Sequence, residues 1–119
     1  MEEKIIYKEL SYEIVGLAID VLKELGYGFL EKVYENSLMV LLKENGTKAE
    51  QQVAIKVYFH GHIAGDYIAD MLVEDRIIFG LKSQDHIAEA HKAQTLNYLK
   101  ATKLKLAILL NFGKDRLES

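Results

Sequence analysis

Apolar residues at helical spacing open the chain. Leu10, Ile14, Leu17, Ala18, Val21, Leu22 and Leu25 recur every three or four positions, which predicts a helix over residues 3–25 stopped by Gly26-Tyr27-Gly28. Leu30, Val33, Tyr34, Leu38 and Leu41 mark a second amphipathic helix over 29–45, closed by Asn45-Gly46. The period then changes to two. Val53, Ile55, Val57 and Phe59 alternate with Ala54, Lys56 and Tyr58, the pattern of a strand, and His60-Gly61 predicts a tight turn. Further strands are expected at 62–73 and 76–82, joined by a turn at Glu74-Asp75-Arg76. Ile87, Ala90, His91, Gln94, Tyr98 and Ala101 give the inward stripe of a third helix over 86–101. The competing register would turn Ala93, Leu96 and Leu99 to the core. The last strand, 104–112, is apolar on both faces, as strands inside a sheet are.

The order α-α-β-β-β-α-β describes an antiparallel meander followed by a helical crossover, after which the last strand can lie parallel to a neighbour. This is an α/β sandwich with a mixed sheet between helices. There is no internal repeat, linker or low-complexity segment, so residues 1–119 read as a single domain. A chain of this length hides about two thirds of its unfolded surface, enough for one core without staples.

Composition removes several classes. With no cysteine, disulfides and thiolate zinc sites are excluded, and a reducing cytoplasm fits. No apolar run approaches the roughly 18 residues of a membrane span, and no signal-peptide core follows Met1-Glu2-Glu3-Lys4. The net charge of −3 is unevenly placed. Residues 1–50 hold ten of the 18 acids, whereas His91 to Lys114 hold five lysines and no acid. Lys92, Lys100, Lys103 and Lys105 could therefore track a phosphate backbone, or form the solvated face of a helix.

The chemistry centres on a hairpin. Asp70 lies inside Tyr67-Ile68-Ala69-Asp70-Met71-Leu72-Val73, and the next strand, Ile77-Ile78-Phe79-Gly80-Leu81-Lys82, ends in a lysine. Phosphodiester hydrolysis with a divalent metal needs carboxylates for the cation and a positive group for the charge that builds on phosphate. Asp70 could supply a carboxylate and Lys82 the positive group. A second carboxylate is expected two residues before the lysine, on the same face of the strand, and that position is Gly80. Read alone, Asp70 is a solvated hairpin acid and Lys82 an exposed strand end. Gln94 and Tyr98, four apart on the third helix, are polar groups that a cleft would partner. Glu31 either favours the N-terminus of the second helix or points across at Asp70 to complete a metal site. His60 and His62 read as turn residues. Asp85 and Glu89 are nearby in sequence, and Glu89 lies off the Gln94–Tyr98 stripe.

Gly28-Phe29-Leu30-Glu31-Lys32-Val33-Tyr34 resembles G-x-x-E-x-x-Y, the signature of the GxxExxY protein family, placed in the PD-(D/E)XK nuclease superfamily. The likeness extends over nearly the whole chain: the helix before Gly-Tyr-Gly, the Asp70 strand, Leu81-Lys82, the Ala93-Gln94 helix and Leu109-Leu110-Asn111-Phe112-Gly113. It implies a restriction-endonuclease-like αβα fold and a Mg²⁺- or Mn²⁺-dependent nuclease acting on nucleic acid, DNA in the first place. Asp70 resembles the metal-binding aspartate, Glu31 the helix acid near the metal and Lys82 the motif lysine. Gln94 and Tyr98 resemble the Q-x-x-x-Y element beside such sites. The chain departs from the pattern at Gly80, where an acid is expected, and at Tyr27, where the family often has proline.

Three functions follow: an active nuclease with an incomplete metal site, a nuclease fold that binds nucleic acid or a protein partner without catalysis, and a small interaction protein. A homodimer suits a domain of this size.

Overall fold

The computed structural model describes residues 2–114, 116 and 117, with side chains from Tyr7 onward. Met1, Asp115, Glu118 and Ser119 lie outside the described residues, and with them the ends of the 1–119 span. The elements are α1 (Glu2–Leu25), α2 (Glu31–Glu44), β1 (Ala49–Phe59), β2 (His62–Val73), β3 (Ile77–Lys82), α3 (Glu89–Thr102) and β4 (Leu106–Asn111). Their order is the expected one. No described helix is long and apolar enough to cross a membrane.

Local chemistry explains the helix ends. Ile14, Ala18, Val21 and Leu22 form the buried face of α1. The helix stops at Gly26, whose φ of 75° suits glycine and whose N–H bonds to Leu22 O at 2.8 Å. In α2, Tyr34, Leu38 and Leu42 are buried at spacings of four. Its end is a Schellman motif: Thr47 N–H bonds to Leu42 O at 2.9 Å and Gly46 N–H to Lys43 O at 3.1 Å. The helix begins two residues later than periodicity predicted, because Leu30 is still extended at ψ 154°.

The sheet order is β1-β2-β3-β4, antiparallel except for the parallel β3–β4 pair. Alternation divides its side chains between two layers. Ile77, Phe79 and Leu81 join α1 and α2 in one core, while Ile78 joins Tyr98 and Ala101 of α3 on the other side. β1 starts at Ala49, four residues before the expected Val53, because Ala49, Glu50 and Gln51 pair with β2 although the polarity of Glu50, Gln51 and Gln52 hides the strand.

Two expectations are corrected. β4 is an edge strand and not an interior one. Its two apolar faces arise because Leu106, Ile108 and Leu110 pack towards α1 and α2 and Ala107 towards α3. The inward stripe of α3 is also rotated. His91, Thr95 and Tyr98 turn towards the sheet, whereas Ala90 and Gln94 are exposed and Leu96 is 64% exposed. Thr95 and Thr102 are tolerated there because their hydroxyls bond back to His91 O and Tyr98 O at 2.9 and 2.7 Å. α3 begins at Glu89, later than the expected 86, after Ala88 N–H donates to His91 Nδ1 at 3.2 Å.

Candidate active site

The G-x-x-E-x-x-Y segment is built around its tyrosine. Tyr34 is fully buried; its hydroxyl donates to Gly26 O at 2.7 Å and accepts from Phe29 N–H at 3.0 Å. Its ring stacks on Phe112, centroids 4.7 Å apart and planes 8° from parallel. These contacts fold the glycine loop onto α2. Gly28 sits at φ 113°, a conformation costly for any residue with a Cβ. Glu31 is thereby fixed in the first turn of α2, half-buried.

Asp70 stands where the sheet breaks regularity. Met71 and Val73 of β2 face α1 and α2, yet Ala69 packs with Tyr98 on the α3 side. Strict alternation would put residues 69 and 71 on one face, so the strand turns over at Asp70. β1 turns over too: Ala49 packs on the α1–α2 side and Ile55 on the α3 side, with Gln52 at φ 53° between them. The ladder steps from Gln51↔Met71 to Val53↔Ala69, leaving Gln52 and Asp70 facing each other as the unpaired rung. At the same place β2 leaves β3, whose pairing ends at Met71↔Phe79. The Leu81 N–H donates to Asp70 Oδ2 at 2.7 Å, so the side chain accepts where the strand ladder has ended.

The electrostatics of this junction are mixed. Burial pushes the Asp70 carboxyl above its ordinary range; the Leu81 N–H and the Lys82 ammonium oppose this, and Glu35 and Glu31 push further up. Lys82 thus acts on Asp70 through space, without a direct ion pair between them among the described residues.

Glu35 was not anticipated. It is 3% exposed and one helical turn beyond Glu31. Lys32 Nζ and Gln51 Nε2 donate to its Oε2, and Gln52 Nε2 to its Oε1 at 3.0 Å. It therefore ties α2 to the kink in β1 opposite Asp70. The legible signal was the consecutive amides Gln51-Gln52 where strand alternation fails.

Lys82 is held from behind. It pairs with Asn111 across β3–β4, and its carbonyl accepts from Phe112 N–H at 2.8 Å. The buried Asn111 side chain accepts from Gln84 N–H at 3.0 Å and Gly113 N–H at 3.1 Å, and donates to Gln84 O at 2.8 Å. A Cβ on Gly113 would lie 1.8 Å from Gln84 O, so only glycine allows this approach. Asn-Phe-Gly is thus a clamp on the segment that follows the lysine.

At Gly80 a Cβ would point towards β4 and α3, 3.0 Å from Leu109 Cδ1 and 3.9 Å from Thr95 Oγ1. No group of three metal-ligating side chains exists among the described residues. The donor chemistry still suits a hard cation. Asp70 and Glu31 offer carboxylate oxygens, and Mg²⁺ commonly takes one or two carboxylates, with water and phosphate completing its shell. Both oxygens of Glu35 are already engaged by donors.

The remaining candidates disperse. Tyr98 donates to Ile68 O at 3.0 Å, fastening the outer part of β2 to α3. Burial raises its phenol, Asp70 adds to that shift, and a hydrogen bond with Gln94 opposes it. Gln94 is exposed and reaches the junction only through Tyr98. Lys92 pairs with Glu89 at 3.3 Å, and Lys103 ends α3 at φ 62°. Lys100 lines a groove beside β2, and Lys105 lies in the bend before β4. His60 and Gly61, at φ 50° and 78°, form the two-residue turn between Phe59 and His62. Asp85 is exposed in the loop before α3.

Three helices around a four-stranded mixed sheet, with an aspartate and a lysine where two strands diverge, define the restriction-endonuclease-like class of αβα proteins. Residues 8–119 match the PD-(D/E)XK nuclease superfamily, and the chain belongs to it. No curated protein and no solved structure matches the chain.

Proposed function

We propose that this protein is a nuclease of the GxxExxY group that acts on DNA with Mg²⁺ or Mn²⁺. The observation that carries this reading is the placement of Asp70, bonded to Leu81 at the strand divergence and in the field of Lys82. Asp70 and Glu31 would hold the cation, which when bound polarises a phosphate and acidifies water. Lys82 faces the negative charge that grows on phosphate as the bond breaks. Glu35 keeps the β1 kink in place, and Tyr98 with Gln94 steadies β2. A second reading, a nuclease fold that binds nucleic acid or a protein partner without cleaving, is favoured by Gly80, which leaves a ligand position without an oxygen.

The test is cleavage of single- and double-stranded DNA with Mn²⁺ at high protein concentration. Cleavage that is lost in Lys82→Ala, with an unchanged unfolding curve, supports the nuclease reading. No cleavage by the unaltered protein overturns it. Salt-sensitive DNA binding without turnover then selects the second reading.

A further inference from the structure

Between the loop before α2 and the loop after β3 lies an open pocket of about 360 Å³, lined by Phe29, Leu30, Glu31, Lys32, Ser83 and Gln84. It borders the junction: Glu31 acts on Asp70 through space, and Ser83 follows Lys82. Both walls are fixed. Phe29 N–H donates to the Tyr34 hydroxyl at 3.0 Å, Phe29 O accepts from Ser83 Oγ at 2.9 Å, and the Asn111 side chain bonds to both the N–H and the C=O of Gln84. One wall leaves apolar surface open. Leu30 is 80% exposed and Phe29 48%, although the Phe29 ring meets the Tyr34 ring edge to face at 6.3 Å. On the other wall the Gln84 side-chain amide has no hydrogen-bond partner among the described residues. The charges favour a neutral guest. Glu31 lines the pocket with an acid, while the Lys32 ammonium is engaged by Glu35 at 3.0 Å.

A flat ring with a polar edge satisfies both walls. It covers the exposed carbon of Phe29 and Leu30, and the free amide offers its edge donors and an acceptor. A phosphate in the same place would meet the Glu31 acid with no free ammonium to offset it. Nucleobases have the required form, and a base enters a pocket only when it is out of its stack. We propose that this pocket holds one unpaired nucleobase, with its ring on Phe29 and Leu30 and its polar edge on Gln84. The binding stands on the pocket alone. That the base neighbours a phosphate held at Asp70 and Lys82 rests on the nuclease reading above.

The experiment is fluorescence anisotropy in EDTA with a labelled single strand of DNA, an abasic strand of the same length that keeps sugar and phosphate, and the DNA duplex. The base-bearing strand should bind more tightly than either. Phe29→Ala should weaken its binding about fivefold to a hundredfold and leave the abasic strand unaffected, and Phe29→Tyr, which keeps the ring, should retain binding. Gln84→Ala should change the order of affinity among oligo-dA, oligo-dC and oligo-dT, because the amide pairs differently with each base edge. Thermal melts check that each variant stays folded. No binding of the base-bearing strand overturns the proposal, as do equal or tighter duplex binding and a Phe29→Ala loss shared equally by the abasic strand. A Phe29→Ala change that converts a dimer to a monomer and leaves DNA binding intact also overturns it, and assigns the loop to contact between copies. Cleavage plays no part in these measurements. Phe29-dependent binding by a protein that never cleaves refutes only the nuclease reading, and DNA cleavage by a protein whose binding is indifferent to Phe29→Ala refutes only the base pocket.

Discussion

The Asp70 carboxylate takes the backbone N–H of Leu81 at 2.7 Å, and so one side chain both caps a strand and faces the junction. The two roles separate by substitution. Asp70→Asn keeps an acceptor for Leu81 and should leave stability within about 1 kcal/mol, while removing any divalent-dependent cleavage. Asp70→Ala strands the half-buried amide and should cost about 1–3 kcal/mol in urea unfolding. Equal stability of the two variants would show that the Leu81 bond carries no weight.

The raised proton affinity of Asp70 sets a direction for pH dependence. Its folded-state pKa lies above the unfolded value, chiefly through burial. Its contribution is therefore full below the ordinary carboxylate range and is lost as pH rises through the raised pKa. The stability of the unaltered protein minus that of Asp70→Asn should fall over that window in the absence of metal. A difference that grows with pH would reverse the assignment. Mn²⁺ binding to the carboxylate would recover stability on the high-pH side.

Glu35 links α2 to β1 through Lys32, Gln51 and Gln52. Glu35→Ala removes the charged acceptor shared by Lys32, Gln51 and Gln52 and leaves Gln51 with Asn36 Oδ1 at 2.8 Å, so a loss of about 1–3 kcal/mol is expected. Under the proposed function, any cleavage or binding of DNA should fall further than stability does, because Gln52 stands opposite Asp70. Equilibrium unfolding and activity on the same variant distinguish the two effects.

Gly80→Glu returns an acid to the expected position. The new Cβ meets the end of the flexible Leu109 side chain at 3.0 Å, so a shift of a few tenths of an ångström admits it. A folded variant whose melting temperature rises with Mn²⁺ more than that of the unaltered protein would mark a vacant ligand position. A folded variant with no such response would place residue 80 away from any metal.

Gly113→Ala is expected to be severe for its size. The added methyl overlaps backbone at Gln84, which cannot move without breaking the Asn111 clamp. Destabilisation of about 1–3 kcal/mol or more is expected in denaturant titration. A neutral result would mean that the segment after Lys82 repositions freely.

Periodicity alone determined the element order, the hairpin turn at His60-Gly61 and the bounds of β2, because these follow from neighbours within one turn or one strand. The placement of Asp70 and Lys82 near the ends of successive strands was legible for the same reason. Tertiary structure decided the rest. The phase of α3 depended on Thr95 and Thr102 satisfying their hydroxyls within the helix, and β4 became an edge strand although both its faces are covered. Glu35 gained its place through two glutamines sixteen and seventeen residues away. The turnover of β1 and β2 at Gln52 and Asp70 is a property of two paired strands, and along the chain only the break in alternation at Gln51-Gln52 marks it. Spacing along a chain records which side of its own element a residue occupies; only the packing of elements decides what stands opposite it.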